Sequence, residues 1–407
     1  MTTGSEADAA EPEMLEVLEV VQRRILWLAV RMVDHANRER PAGEIKVGGH
    51  QASSASMIGI MTALWFAHLS GDDKVAVKPH ASPVYHAIKY LTGELDRSYL
   101  TKLRALGGLQ AYPSRTKDPD VADFSTGSVG LGVVAPLFAA ATRRYVDSHF
   151  PRPDARPARF IALAGDAELD EGNVWEAITD PTLQGLGNVM WVIDTNRQSL
   201  DRVVPEQKIK KLMEFFDGAG WHVVAAKYGR HLTEAFEQPG GDALRHHIDD
   251  MSNEEYQSLF AHHGADLRKR FLDGADDAVR RLLDEYHDDD LAPLVQNLGG
   301  HDLGVLVGQV ALLSGVGCQV EQAQRSGLVA GTQARVIGRL VLLGWGEDGH
   351  PVRAAGVHPS ALRLAVLAVA GRQHVQLPSA VADGRESRPL MAEHDLVRTL
   401  RRPVEHR

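Results

Sequence analysis

The chain has 407 residues, of which 44% are hydrophobic and 24% are charged, and its formal net charge is −10. This length allows two or three domains with a large buried core, and the composition is that of an ordinary folded protein, which excludes a peptide factor, wholesale disorder and a coiled coil. Because the chain is acidic and has no long block of Lys or Arg, we expect no nucleic-acid partner.

The cysteine content and the hydropathy pattern indicate the compartment. The single cysteine, Cys318, cannot form an intramolecular disulfide, and no charged-then-apolar leader opens the chain. No apolar stretch approaches the roughly 18 residues that suggest a membrane span. We therefore expect a cytoplasmic protein without a membrane partner.

Two predicted helices precede the first predicted strand. Residues 1–12 are small, acidic and aperiodic, and they predict a disordered tail. From Glu13 to about Arg38, apolar residues recur every three or four positions, which is the pattern of one buried helix face. Residues 54–70 are apolar nearly all round and predict a second, buried helix.

Strand and helix patterns then alternate. Four short apolar runs have the character of buried parallel strands, and they are VAVK at 75–78, FIALAG at 160–165, NVMWVIDTN at 188–196 and WHVVAA at 221–226. Helical segments are predicted at 83–106, 128–148 and 172–185. This alternation predicts an α/β fold, a doubly wound parallel sheet with helices on both faces.

The last part of the chain differs from the rest. Residues 231–296 are helical in pattern and strongly charged, which predicts a helical insertion in a domain spanning 13–302. Residues 303–407 contain no Lys, Phe, Tyr or Asn, whereas all 10 Phe and all 8 Tyr precede them. Two explanations stay open for this divergent segment: a different small domain, or a reading-frame change in a GC-rich gene that leaves it poorly folded.

Polar residues follow two of the predicted strands. Gly165 and Asp166 end one strand, and the next is followed by Asp194, Thr195, Asn196 and Gln198. Ligands of open α/β sheets bind at this carboxyl edge, and carboxylate and amide oxygens suit Mg²⁺, which also takes phosphate oxygens. The pattern predicts an anchor for a metal and a diphosphate. The alternative is structural: Asp166 caps a helix and Asn196 shapes a turn.

Gly-Asp followed about thirty residues later by Asn, each after a strand, resembles the thiamine diphosphate motif of transketolases and 2-oxoacid dehydrogenase E1 components. The resemblance implies thiamine diphosphate and Mg²⁺ as cofactors. The metal ligands it implies are Asp166, Asn196 and, through its backbone carbonyl, Gln198. The cofactor-binding residues it implies in this motif are Gly165, Asp166, Ala167, Glu168 and Asn196. Ala167 departs from the glycine that is usual in the family.

Two upstream loops, at 48–56 and 78–95, resemble the histidine-bearing loops of the same superfamily. The resemblance implies that His50 and His80 are catalytic, stabilising or protonating oxygens of the intermediate, and that Ser53 joins them in binding the cofactor. The segment STGSVGLG at 125–132 is similar to a loop beside the cofactor and adds Val129 and Gly130. Helix N-termini and imidazole donors suit an anion.

Within the superfamily, the chain most resembles the N-terminal domain of the homodimeric, bacterial-type pyruvate dehydrogenase E1 component. EFFDGAGWHVV at 214–224, the segment 253–271 and NLGGHD at 297–302 carry this resemblance, which covers roughly residues 20–302. It implies decarboxylation of a 2-oxo acid and a homo-oligomer. In the family, a small or amide residue and then a glycine usually precede the histidine that corresponds to His80. This chain has Lys78 and Pro79 at these two positions.

Three functions remain open. The first is the diphosphate-binding half of an E1-like enzyme, which needs a separate chain for the pyrimidine domain that we do not find in the sequence. The second is a transketolase-like ketol transferase acting on a ketose. The third is a catalytically inactive, truncated homologue. The helical insertion favours the first, whereas Ala167 and the missing pyrimidine domain favour the third.

Overall fold

The computed structural model describes residues 12–39, 48–150, 158–183, 185–195, 198–199, 202–203, 207–309, 338–343 and 366–368. Among these residues, no helix combines the length and the apolar character that crossing a bilayer requires. The predicted tail at 1–12 lies outside them except for Pro12, which begins the first helix. Most of the divergent segment at 303–407, including Cys318, also lies outside them.

The strands are β1 (Lys74–Ala76), β2 (Phe160–Gly165), β3 (Val189–Asp194), β4 (Gln198–Ser199), β5 (Arg202–Val203), β6 (Trp221–Ala225), β7 (Gly338–Leu343) and β8 (Val366–Ala368). Six of them form one sheet in the order β1, β2, β3, β7, β6, with β8 also paired to β3. Every pairing in this sheet is parallel. β4 and β5 form a separate antiparallel pair.

The helices that cover the sheet are α1 (Pro12–Arg38), α2 (Gln51–Ala55), α3 (Ile58–Ala63), α4 (Ser82–Leu91), α5 (Leu131–His149), α6 (Gly172–Thr179) and α7 (Gln207–Ala219). Successive side chains of a strand point to opposite faces of the sheet. Ile161 and Leu163 of β2 share a core with α1, α3 and α4. Phe160 and Ala162 share the opposite core with α5, α6 and α7. This arrangement confirms the predicted α/β fold class.

A third core lies within the helices that follow β6. These are α8 (Arg230–Phe236), α9 (Gly241–Asp250), α10 (Asn253–Leu259), α11 (Gly264–Phe271), α12 (Asp277–Leu283) and α13 (Leu291–Val295). Their buried residues, including Leu244, Phe271 and Leu283, pack on one another. We call α8–α13 the helical unit.

Three helix predictions were wrong in extent. The helix predicted at 83–106 ends at Leu91, because Gly93 takes a φ of 81° and Asp96 caps a separate 3-10 turn. The helix predicted at 172–185 ends at Thr179, before Asp180 and Pro181, since a residue preceding proline disfavours the α conformation. The helix predicted over 54–70 begins with α2 at Gln51, is divided between α2 and α3, and ends in a π-helical turn at Leu64–His68.

Candidate functional site

The carboxyl ends of β2 and β3 lie side by side, because Gly165 is in register with Asp194. A 3-10 helix, Asp166–Asp170, follows β2 directly, and both Asp166 and Glu168 are buried in it. The backbone N–H of Gly165 donates a 3.0 Å hydrogen bond to Oε2 of Glu168. The structure therefore brings three carboxyl groups to this edge of the sheet, which we call the carboxyl edge.

Two of these carboxyl groups have an oxygen that lacks a partner. Oε1 of Glu168 and Oδ1 of Asp194 are buried and accept no hydrogen bond from the residues that the structure describes. Oγ1 of the neighbouring Thr195 is also buried and has no hydrogen-bond partner among these residues. Buried polar atoms normally have partners, and unpaired carboxylate oxygens are suitable ligands for a hard cation. The donor set at the carboxyl edge thus fits Mg²⁺.

Burial raises the pKa of Glu168 to about 7, because the charged form loses its hydration. The backbone N–H groups of Gly165 and Gly130 and the positive charge of Lys78 act in the opposite direction and favour the ionised form. Near neutral pH, Glu168 is therefore divided between its two protonation states. A cation at this edge would shift that balance toward the carboxylate.

The structure describes the backbone of only one of the two other predicted metal ligands, Asn196 and Gln198. Asn196 lies outside the described residues. Gln198 is described as backbone in β4, which lies against the Asp166–Asp170 turn. Coordination by Asp166, Asn196 and Gln198 remains a prediction.

His50 and His80 lie together, with their ring centroids 4.4 Å apart in an edge-to-face arrangement. His80 also meets the ring of Tyr112, at 4.9 Å. Burial is the main cause that lowers the pKa of His80 to about 4, and the nearby His50, Arg104 and Lys78 act in the same direction. His80 is therefore a neutral imidazole at pH 7, with one nitrogen that donates and one that accepts.

The backbone around these histidines is strained. His80 and Arg104 have φ values of 67° and 58°, and they are the non-glycine residues with positive φ in the described part of the chain. Such conformations cost free energy and cluster at functional sites. Arg104 lies close to the first histidine loop, because its Nη1 would be 3.4 Å from a Cβ placed on Gly48.

Ser56 connects the first histidine loop to the carboxyl edge. Its Oγ lies 2.5 Å from Oδ2 of Asp194, to which it donates, and 3.1 Å from the carbonyl oxygen of Ser53. The half-buried Ser53 therefore lies close to the end of β3, with Ser56 between them.

The third predicted loop reaches the same edge through Gly130, which precedes α5 with a φ of 80°. A Cβ at this position would lie 2.7 Å from Oδ1 of Asn173, so that the close approach requires glycine. Val129 is 50% exposed, and Ala167 is half-buried within the 3-10 helix. Neither of these two side chains has a polar group with which to bind a diphosphate.

A second cluster of possible metal ligands, His86, Asp118 and Asp120, lies beside α4. Nδ1 of His86 is 3.0 Å from Oδ2 of Asp120. Both oxygens of Asp118 accept backbone N–H groups, those of Gln110 and Ser114, at 2.7 Å. These bonds explain the cluster as a network that holds the loop after α4.

The sequence did not predict Arg104, Tyr112 and Ser56 as residues near the site. Lys78 was noted only because it departs from the residue that is usual in the family. The left-handed backbone conformation of Arg104 has no signature in a sequence, and Ser56 is one of several serines in its segment. The position of Lys78 before Pro79 and His80 was the one available signal.

Comparison with known proteins shows that part of the chain is similar to a known family. Residues 44–239 match the model of the transketolase family's thiamine diphosphate-binding domain. The pyruvate dehydrogenase E1 component of Corynebacterium glutamicum is 32% identical over 294 residues, which cover 69% of this chain and 31% of that protein. The E1 component of Mycobacterium tuberculosis is 32% identical over 301 residues, covering 70% and 32%. The chain thus spans about a third of the length of these curated relatives.

Solved structures of transketolases are also similar. The transketolase from Leishmania mexicana has a TM-score of 0.45 and 22% identity, and the match covers 52% of this chain and 32% of that one. The transketolase from Campylobacter jejuni has a TM-score of 0.44 and 23% identity, covering 52% and 33%.

Proposed function

We propose that this chain, whose residues 44–239 belong to the transketolase type of thiamine diphosphate-binding domain, binds thiamine diphosphate and Mg²⁺ as the diphosphate-binding part of an E1-like, 2-oxo acid decarboxylating enzyme. The observation that carries the proposal is the carboxyl edge, where the buried Asp166 lies beside the unpaired, buried carboxylate oxygens of Glu168 and Asp194. In this proposal Asp166, Asn196 and the backbone carbonyl of Gln198 hold the metal.

Thiamine diphosphate, when bound, supplies the carbanion that attacks a carbonyl carbon. The residues of this chain bind and orient the cofactor and handle protons. In our proposal Gly165, Ala167 and Glu168 line the diphosphate, and Val129 and Gly130 border the cofactor.

In our proposal the histidine pair, His50 and His80, donates a proton or a hydrogen bond to oxygens of the substrate. His80 is neutral at pH 7 because its pKa is about 4, so a ring N–H can donate to an oxygen of the substrate. His50, with its ring centroid 4.4 Å from that of His80, and Ser53 complete this wall of the site in our proposal.

Pyruvate dehydrogenase E1 is favoured over a transketolase acting on ketoses by the extent of the similarity. The match to the Corynebacterium glutamicum E1 component covers 69% of the 407 residues, or about 281 residues. It therefore extends beyond residue 239, where the match to the transketolase family's domain ends, and continues into the helical unit. A catalytically inactive homologue is the alternative that Ala167 favours. We further propose that the pyrimidine-binding domain comes from another chain or another part of a longer protein, that the protein is cytoplasmic, and that it forms homo-oligomers.

Calorimetric titration with thiamine diphosphate tests the proposal. We expect saturable binding in the presence of Mg²⁺ and its loss in Asp166→Ala, because the variant lacks a metal ligand. The exposed Asp250→Ala in α9 is the matched control and should bind as the wild type does. A folded wild type that does not bind, or an Asp166→Ala variant that binds equally well, would contradict the proposal.

A further inference from the structure

Lys78 is a buried lysine at the carboxyl edge. It lies two residues beyond β1, and only 8% of its surface is exposed. Its Cε would be 3.2 Å from a Cβ placed on Gly165, so the aliphatic part of the side chain crosses the end of β2. Lysine is rarely buried to this extent unless it is paired.

The partner of Lys78 is Asp194 at the end of β3. Nζ of Lys78 donates to Oδ2 of Asp194, whose side chain is fully buried. The same oxygen accepts from Ser56, while the other one is unpaired. The ammonium group is therefore held in a defined place by a carboxylate that is itself anchored.

This pair leaves capacity for a ligand. An ammonium group has three N–H donors, and Asp194 is the hydrogen-bond partner of Lys78 among the described residues. Nζ would be 3.9 Å from a Cβ placed on Gly165, and it lies close enough to Glu168 and His80 to affect their ionisation. The positive charge of Lys78 thus acts on both the carboxyl edge and the histidine pair.

We propose that Lys78 is a further cofactor-binding residue, whose ammonium group, held by Asp194, contacts the diphosphate and supplies part of the positive charge that otherwise comes from the metal alone. This inference rests on the proposed function. A lysine binds phosphate oxygens as a point charge, and a charge already present at the carboxyl edge lowers the dependence of diphosphate binding on Mg²⁺.

The inference is tested by titrating the protein with thiamine diphosphate and, separately, with thiamine, which lacks the diphosphate. Each titration is done once in a buffer with Mg²⁺ and once in a buffer with EDTA. In EDTA the wild type should bind thiamine diphosphate more tightly than thiamine. Lys78→Gln, which retains a donor for Asp194 but no charge, should weaken thiamine diphosphate binding by roughly tenfold or more and leave thiamine binding unchanged. The exposed Lys102→Gln is the control.

The outcomes separate the two proposals. A wild type that binds thiamine diphosphate in neither buffer contradicts the proposed function. A wild type that binds it with Mg²⁺ but in EDTA no more tightly than thiamine leaves the proposed function intact and overturns the role of Lys78. This second result needs no variant, so it decides the question even where Lys78→Gln does not fold. Equal binding by a folded Lys78→Gln would also overturn it.

Discussion

Glu168 shows how one residue at the carboxyl edge couples folding to pH. Burial raises its pKa from 4.5 to about 7, with the backbone N–H groups of Gly165 and Gly130 limiting the increase. Between these two pH values the folded state holds more protons than the unfolded state, so raising the pH favours unfolding. Stability from this group is complete below about pH 4.5 and is lost as the pH rises to about 7.

Glu168→Gln removes this titration but keeps an oxygen that accepts the Gly165 N–H. We expect the free energy of unfolding of the wild type to fall relative to that of Glu168→Gln between pH 4.5 and 7, by at most about 3 kcal/mol. Urea denaturation of both proteins at several pH values measures the difference. A difference that stays constant with pH would show that the pKa of Glu168 is not raised by folding.

A cluster of aromatic side chains packs α7 against the sheet. Phe216 is fully buried and meets Trp221 of β6 at 5.6 Å and Trp191 of β3 at 5.9 Å between ring centroids. Its neighbour Phe215 is 43% exposed and meets Trp175 of α6 edge-on. Adjacent residues of one helix therefore differ sharply in burial.

This difference predicts unequal effects of the same substitution. Phe216→Ala should lower the free energy of unfolding by about 3–5 kcal/mol, because it leaves a cavity between α7 and the sheet. Phe215→Ala should cost roughly 1 kcal/mol or less, since water already reaches that side chain. Urea unfolding followed by tryptophan fluorescence compares the two variants, and equal losses would be inconsistent with the packing of α7.

Helix α5 has a stripe of apolar side chains that are exposed to solvent. Leu131, Phe138 and Tyr145 are spaced seven residues apart, which places them on one face of the helix. They are 50%, 45% and 59% exposed. Large exposed apolar side chains grouped on one surface are typical of protein interfaces, and this stripe supports the proposed homo-oligomer.

Phe138→Glu tests this assembly. A charge in the middle of the stripe should shift the protein toward the monomer, because burying it in an interface without a partner is costly. Sedimentation velocity measures the effect, with the exposed Ser258→Glu of the helical unit as a control that adds the same charge elsewhere. A wild type that is monomeric at high concentration, or a variant with unchanged assembly, would exclude the α5 face as an interface.

The fold class and the position of the carboxyl edge could be predicted from the amino-acid pattern alone. Alternation of apolar runs and amphipathic segments is a local property, and it located β2 and β3 to within two residues. Gly165 ends β2 and Asp166 follows it, as the sequence predicted. Helix ends were less predictable, because a positive φ at Gly93 or the bond between Asp180 and Pro181 ends a helix that apolar spacing alone would continue.

The contacts between residues at the site could not be predicted without the folded structure. The ion pair of Lys78 with Asp194 joins residues 116 positions apart, and the bond from Ser56 to Asp194 spans 138 positions. No local pattern carries such information, because these contacts depend on the parallel order of β1, β2 and β3. The unpaired oxygens and the shifted pKa values likewise arise from burial, which is a property of the packed molecule and not of the motif.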